Sequence, residues 1–229
     1  MKILKNITVF TMVMLLSVST VLEAREKNIS NFSSSASNLV DSTGTFDGNK
    51  IYADVANNGL FLDYHVSGDS ALEWPKGTGV HSIFQSALWM GATVNGSIRT
   101  IVGDYTQDMG PGPWGGDPLA AVHRIYKVEK SMLASPLDFA DFQEWPVEFG
   151  APWVDVDGDG VYTPLPGGTD HPEFLGDQVL WFVSNDGDPA YKLNFGTSPM
   201  NVEIQTTMFG FDRPDVFGDM VFLKQLVIN

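Results

Sequence analysis

The amino-acid sequence predicts an all-β fold, in which antiparallel sheets form a sandwich or jelly-roll-like arrangement with one short helix. The 229 residues include 23 glycines and 13 prolines, which favour many turns and short elements. Several stretches alternate apolar with polar residues. The sequence has no repeat of fixed period, which argues against a propeller or a solenoid. Hydrophobic residues make up 43% of the chain, which is enough for a packed core.

Turn signals between apolar stretches define the predicted strands. Strands over 51–56 and 60–66 are separated by the turn residues Asn57-Asn58-Gly59. A hairpin over 86–94 and 97–105 is joined by Asn95-Gly96, the pair favoured in type I′ turns. The same patterns predict four further strands, over 124–130, 178–184, 201–211 and 219–228.

A helical turn is predicted at 135–144. Ser135 suits the cap and Pro136 the first helical position, and this helix would place Leu137, Ala140 and Phe142 inward.

The last predicted strand is apolar on both faces, with Phe222, Leu226 and Ile228 on one and Val221, Leu223 and Val227 on the other. Such strands are normally central in a sheet. We therefore expect a neighbour on each side of this strand, and a β domain over 49–229 that is truncated at its C-terminus. A terminal strand docked inside the sheet is the alternative.

Two segments precede the predicted β domain. Residues 1–24 have the pattern of an export signal, with Lys2 and Lys5 before an apolar run and a small residue at Ala24. The run is short for a membrane span, although an uncleaved anchor is the alternative. Residues 25–48 form a Ser/Asn-rich linker. We therefore expect a secreted or cell-surface protein with no membrane span after signal removal.

The charge balance narrows the range of partners. The formal net charge is −15, so nucleic acid and anionic membranes, which need a basic face, are poor partners. From Ser131 to Tyr191 there are twelve acidic residues and no Lys or Arg. Such a segment repels itself unless cations neutralise it. The chain has no cysteine, so disulfides and thiol chemistry are excluded.

The clearest motif is the acidic loop at 155–160. Asp155, Asp157 and Asp159 alternate with small or apolar residues before Gly160, which matches the first half of a D-x-[DN]-x-[DN]-G calcium loop. In this interpretation the carbonyl of Val161 supplies a further ligand and Ca²⁺ is the cofactor.

The second half of the motif departs from an EF-hand. Position twelve is Pro166 instead of glutamate, and glycines and prolines flank the loop where helices would be. The loop is therefore expected between strands, closed by a carboxylate from further along the chain. The candidates are Asp170, then Glu173 and Asp177. The alternative is a solvated acidic turn without an ion. The stretch 185–188 is a second acidic turn, for which a weak calcium site and a simple turn stay open.

Several motifs along the chain, in the same order, resemble an uncharacterised extracellular region of large secreted or cell-surface proteins of Bacteroidota and related bacteria. Many proteins of this class end in a type nine secretion sorting domain. The resemblance covers roughly 48–229 and implies a surface or secreted location and calcium, but no catalytic residues. The motifs are Glu73-Trp74-Pro75, Ser86–Ala92, Gly150–Trp153, Asp155–Gly160 and Gly176–Trp181.

Tryptophans and glutamates allow two ways of contacting sugars. Trp89 and Trp181 lie in strand patterns and are expected in the core, whereas some of Trp74, Trp114 and Trp145, next to proline or glycine, could be exposed for stacking on sugars. A glycosidase would need two facing carboxylates, and no spacing pairs any two of the available glutamates. The four histidines are isolated, which argues against zinc. The glutamates considered are Glu73, Glu144, Glu148 and Glu203.

These observations together indicate an exported calcium-binding β module with a structural, adhesive or glycan-contact role. Extracellular glycan or surface proteins are the expected partners. The alternative hypothesis is a secreted polysaccharide-active enzyme of the glycoside hydrolase type.

Overall fold

In the computed structural model, the described residues are 43–63, 70–104 and 106–229. They form an all-β fold of antiparallel sheets, with one short α helix and several 3₁₀ turns, which confirms the predicted fold class. The predicted signal peptide, most of the predicted linker and the predicted strand residues 64–66 lie outside the described residues.

Two larger sheets and two small ladders make up the architecture. The first sheet has the order β1-β2-β3-β4. The second has the order β13-β12-β11-β7, and β8 also pairs with β11. Strands β5 and β6 form one ladder, and β9 and β10 form the other. The bounds are β1 Thr43–Phe46, β2 Tyr52–Ala56, β3 Leu72–Glu73, β4 His81–Ile83, β5 Trp89–Val94, β6 Ser97–Val102, β7 Gly110–Pro111, β8 Tyr126–Glu129, β9 Trp153–Val154, β10 His171–Pro172, β11 Gln178–Asn185, β12 Glu203–Gly210 and β13 Val221–Ile228.

The helical elements are short. Helix α1 covers Ala140–Gln143. The 3₁₀ turns are Ala121–His123, Lys130–Ala134, Pro136–Asp138, Val147–Phe149, Pro189–Tyr191 and Val216–Asp219.

Strand β11 lies at the centre of the fold. All eight of its residues are buried, and the run Val179–Val183 is continuously apolar. A run of this kind is expected where both faces of a strand are covered, because side chains alternate between the two faces. The two sets of side chains of β11 accordingly belong to two different clusters.

One face of β11 packs against the first sheet. Leu180 and Phe182, with Met208 of β12, join a buried cluster that includes Phe46 of β1 and Val55 of β2. Residues from both sheets therefore share one core, which is the arrangement of a β-sandwich.

The other face of β11 packs against a layer of loops and α1, and the neighbouring strand β8 adds Tyr126 and Val128 to the same cluster. Val179, Trp181 and Val183 contact a cluster that includes Phe142 of α1 and Trp145. Trp153 and Tyr162, from the segment with the acidic motif, pack against the same cluster. The acidic loop is therefore attached to the face of β11 that points away from the first sheet, which we call the rear face.

The Asn95-Gly96 hairpin is confirmed, whereas the predicted burial of its tryptophan, Trp89, is wrong. Both turn residues have positive φ, 51° and 77°, as a type I′ turn requires. Trp89, however, is 64% exposed. The β5–β6 ladder is only two strands wide, so its outer face has no sheet to cover it in the described part of the chain.

The predicted helix over 135–144 is only partly correct. The segment is a 3₁₀ turn at Pro136–Asp138 followed by α1, and the Ser135 side chain makes no capping hydrogen bond. Phe142 is buried as predicted, but Leu137 is 58% exposed and Ala140 is also exposed. The break at Phe139, which is in an extended conformation, rotates the first turn away from the core.

The last strand, β13, lies at an edge of the second sheet in the described part of the chain. Among the described residues, β13 pairs with β12 alone, in full register from Glu203↔Ile228 to Gly210↔Val221. Leu226 is 55% exposed, and Val227 and Ile228 are also exposed. The neighbour expected on the other side of this strand, and the expected truncation of the domain, therefore stay predictions. The strand predicted over 60–66 is reduced, within 60–63, to an isolated bridge between Leu62 and Ser86.

Among the described residues, none of the helices has both the length and the apolar character needed to cross a membrane.

The core position of β11 predicts a large difference between two leucine truncations. Leu180→Ala should lower the free energy of unfolding by about 2 to 5 kcal/mol, because it leaves a cavity between the two sheets. The control Leu137→Ala removes an exposed side chain and should change it by less than about 0.5 kcal/mol. Urea unfolding of both variants measures the difference, and equal effects would contradict the assigned core.

Candidate metal centre

The acidic motif occupies a long loop between two paired strands. In the β9–β10 ladder, Val154 lies opposite His171 and Trp153 lies opposite Pro172. Asp155 directly follows Val154, and Asp170 directly precedes His171. The ladder therefore brings these two aspartates to the base of the same loop, although they are far apart in sequence.

Aromatic packing holds this loop on the core. Trp153 and Tyr162 meet edge to face, with ring centroids 5.5 Å apart. The Tyr162 hydroxyl donates a hydrogen bond to the Phe142 carbonyl at 2.6 Å. Burial, and then the negative charge of Asp170, raises the pKa of Tyr162, so the phenol stays a neutral donor. The Trp145 indole N–H also donates to the Pro152 carbonyl at 3.0 Å.

Backbone amides orient the three aspartates of the motif. Asp155 accepts hydrogen bonds from the Gly158 N–H at 2.7 Å and the Gly160 N–H at 2.9 Å, one on each oxygen. Asp159 accepts one from the Val161 N–H at 2.7 Å. The two glycines have φ of 78° and 76°, a region that glycine enters without strain. These turns bend the loop so that its carboxylates converge.

Asp170 is the buried member of the group, at 1% exposure. Its Oδ1 accepts from the Val156 N–H and its Oδ2 from the Thr163 N–H, both at 2.8 Å. The hydrogen bonds from Thr163 and Val156 hold the pKa of Asp170 below its usual value, because they stabilise the ionised carboxylate by more than burial destabilises it.

The four carboxylates come together at one point. Asp155, Asp157, Asp159 and Asp170 each offer an oxygen, and these oxygens all lie within 4.8 Å of one another. The backbone hydrogen bond from Asp159 lowers the pKa of Asp157, but desolvation and the charges of the other three carboxylates outweigh it, so the pKa is raised. A cluster of this kind could hold a metal ion.

Two other predicted ligands have different surroundings. Val161 lies in the loop with an exposed side chain, and the ligand assigned to its carbonyl stays a prediction. Asp177 is not a member of the cluster, because the chain has already left the loop for β11 at that point. Its backbone N–H donates to Gly210 and its carbonyl accepts from Lys130, while its carboxylate accepts from the Asp212 N–H at 2.9 Å.

The second acidic turn, 185–188, does not resemble the first. Asp186 is fully buried and accepts hydrogen bonds from the N–H groups of Met200 and Val202. Asp188 caps the 3₁₀ turn that follows by accepting from the Ala190 N–H. The two carboxylates have separate structural partners, as expected for a turn.

Three of the four glutamates considered for catalysis have partners other than carboxylates. Glu73 accepts from the Gly79 N–H within the first sheet, and Glu144 pairs with Arg124 at 3.0 Å. Glu203 accepts from the Trp114 N–H at 3.0 Å. None of these contacts joins two of the glutamates.

Comparison of the chain with models of known protein families, with curated proteins and with solved structures finds no match. The functional argument therefore depends on the geometry of the chain alone.

The pKa of Asp170 predicts a pH-dependent contribution to stability in metal-free buffer. Because its pKa is lowered in the folded state, its ionised form stabilises the fold above the ordinary value of 3.8. That contribution is lost as the pH falls below 3.8 through the folded-state pKa. Asp170→Asn should therefore destabilise the protein most at neutral pH, and the gap to wild type should narrow in acid.

Denaturant unfolding from pH 7 to pH 3 in chelator measures this gap, and the exposed Asp138→Asn is the matched control. A gap that stays constant over the whole range would contradict the role assigned to the Asp170 carboxylate.

Proposed function

We propose that this protein is an exported, calcium-binding β module with a structural or adhesive role at the cell surface. The observation that supports this most directly is the convergence of four carboxylates in one loop. A divalent cation would convert the mutual repulsion of these carboxylates into attraction, so binding would be coupled to the stability of the loop.

The donor set favours calcium over other ions. The cluster offers only carboxylate oxygens, which suit hard cations, and no His or Cys belongs to it. A loop that turns at two glycines with positive φ fits the larger, irregular coordination of Ca²⁺ better than the strict octahedron of Mg²⁺. Extracellular sites of this kind have dissociation constants of about 10⁻⁴ to 10⁻³ M, so they fill outside the cell.

An ion at this point would connect the two ends of the loop. Asp155 follows β9 and Asp170 precedes β10, and the ladder between them has only two residue pairs. Such a short ladder gains little from its own hydrogen bonds. Calcium would therefore stabilise the hairpin and, through Trp153 and Tyr162, its packing on the rear face of β11.

The proposed location depends on sequence. The export-signal pattern of 1–24 suits an extracellular protein, and the strongly acidic balance makes nucleic acid and anionic membranes poor partners. The motif resemblance to secreted and cell-surface proteins of Bacteroidota points the same way, and extracellular glycan or other surface proteins are the proposed partners.

A glycan-contact role is favoured by one exposed tryptophan. Trp114 is 60% exposed and lines an open pocket of about 210 Å³. Asn185, Asp188 and Asn201 lie around the same pocket. An exposed indole beside amide and carboxylate groups can stack on the apolar face of a sugar ring while polar groups bind its hydroxyls.

Calcium should raise the thermal stability of the protein. At 10 to 100 times its dissociation constant, an ion that binds only the folded state adds about 1 to 3 kcal/mol. For a domain of this size that is a rise in melting temperature of about 2 to 12 °C. Scanning calorimetry in calcium, magnesium and EDTA measures the effect, and identical curves in all three would mean that the loop is only an acidic turn.

Asp157→Asn provides the specific control, because its effect should reverse in sign. In EDTA the substitution removes a repelled carboxylate whose pKa is raised, so the melting temperature should rise slightly. In calcium it removes a ligand, so the melting temperature should fall below that of wild type. The exposed Asp138→Asn should show no such reversal.

The glycan role predicts that Trp114→Ala abolishes binding on a glycan array without changing the melting temperature by more than about 2 °C. Trp89→Ala removes a comparably exposed indole, at 64%, and should leave binding intact. Equal binding by all three proteins would rule out the Trp114 pocket. Hydrolysis of the bound glycans would instead favour the alternative hypothesis of a polysaccharide-active enzyme.

A further inference from the structure

A lysine and two aspartates meet inside the protein, far from the acidic loop. Lys192 Nζ lies 3.3 Å from Asp108 Oδ2 and 3.7 Å from Asp186 Oδ2. Their exposed fractions are 8%, 1% and 0%, respectively. Neither the metal cluster nor the Trp114 pocket accounts for this buried group of charges.

The three residues come from separate parts of the chain. Asp108 lies between β6 and β7, Asp186 directly follows β11, and Lys192 follows the 3₁₀ turn Pro189–Tyr191. Their partners adjoin an apolar cluster formed by Ile101, Met109, Met200, Val202 and Ile204.

Backbone groups fix both carboxylates and the amine. Asp108 accepts from the Val102 N–H on Oδ2 and from the Asn194 N–H on Oδ1, at 2.9 and 2.8 Å. Asp186 accepts from the N–H groups of Met200 and Val202, at 2.7 and 2.9 Å. Lys192 Nζ also donates to the Thr100 carbonyl. These hydrogen bonds hold the two carboxylates and the amine in fixed positions.

Burying these formal charges together has a cost in free energy. One ammonium and two carboxylates leave a net charge of −1 in a region from which water is excluded. Taking ions out of water has a large desolvation penalty, which a buried pair recovers only in part. An amide bond between the amine and one carboxylate would remove two of the three charges, and its polar atoms would keep hydrogen-bond partners nearby.

We propose that Lys192 and Asp108 form an intramolecular isopeptide bond between Nζ and Cγ, with Asp186 as the proton carrier. Such a reaction needs the nucleophile held next to the carbonyl carbon in a fixed geometry. Nζ lies 3.3 Å from Asp108 Oδ2, which is one bond away from Cγ, and Asp186 Oδ2 lies 3.7 Å from the same nitrogen.

The condensation joins an ammonium to a carboxylate and releases one water, so atoms and charge balance without a co-reactant. Asp186 takes one proton from Nζ and passes it to Oδ2 of Asp108. The neutral amine then attacks Cγ, and the C–N bond of a tetrahedral intermediate forms. Asp186 takes a second proton from the nitrogen and delivers it to Oδ2, which leaves as water while the C=O bond to Oδ1 re-forms.

The backbone supports the proposed intermediate. Oδ1, the oxygen that stays, already accepts a hydrogen bond from the Asn194 N–H, and this donor would stabilise the negative charge that develops there. The linked residues are 84 positions apart, so the bond would close a long loop of the unfolded chain. In a protein without cysteine, it would serve as a redox-independent covalent clamp between the β6–β7 connection and the β11–β12 connection.

Mass spectrometry of the purified full chain tests the proposal without any variant. The intact mass should be lower by about 18 Da than the sequence requires, for one lost water. Trypsin should release residues 100–124 joined to a peptide that runs uncut through Lys192, because an amidated lysine is not cleaved. An unchanged mass with a separate 100–124 peptide would overturn the proposal.

Variants separate the roles of the three residues. Lys192→Arg keeps the positive charge but removes the amine, so it should show the full mass. Asp186→Asn keeps the acceptor for Val202 but loses the proton carrier, and should slow cross-linking by about 100-fold or more. Asp138→Asn, an exposed aspartate elsewhere in the chain, is the matched control and should cross-link as wild type does. Undiminished cross-linking in Asp186→Asn would overturn the role assigned to Asp186.

Discussion

The burial of β11 on both faces is the constraint on which the rest of the structure depends. Leu180 and Phe182 point to the first sheet, and Val179, Trp181 and Val183 point to the loop layer. Both faces of such a strand have to be covered, because an uncovered face would present a continuous apolar surface to water. The sandwich on one side and the loop layer on the other are both required to cover it.

Each candidate site is positioned by this strand. The acidic loop is attached to its rear face, since Trp153 and Tyr162 pack into the same cluster as Trp181. The lysine–aspartate group lies at the C-terminal end of the strand, where Asn185 is followed by the buried Asp186. The acidic cluster is mostly exposed and the lysine–aspartate group is buried, so the same strand supports an open candidate ion site and an enclosed group of charges.

The elements predicted with most success were those in which a local pattern determines the structure. The apolar run at 178–184 and the turn at Asn95-Gly96 are of this kind, because the first requires two covered faces and the second requires two positive φ angles. The error at Trp89 has a different origin. Apolarity shows that a face tolerates burial, but only the arrangement of the sheets decides whether a neighbour covers it.

The acidic loop was predictable in part for the same reason. The spacing of Asp155, Asp157 and Asp159 is a local signal, whereas the choice of Asp170 over Asp177 depends on the β9–β10 ladder. The buried group of Lys192, Asp108 and Asp186 had no local signal at all. Its members are brought together by tertiary structure, and only Asp186 lay in a stretch that the sequence singled out.

The chain manages its negative charge mainly through backbone amides. With a formal charge of −15 it has few cations to pair with its carboxylates, and Asp155, Asp170, Asp108 and Asp186 each accept two backbone N–H groups. Hydrogen bonds of this type stabilise the ionised form but leave its charge in place. Where such carboxylates converge, the repulsion has two physical remedies: a bound cation at an open loop, or, in the interior, a reaction that consumes the charges. The two proposed sites correspond to these two remedies.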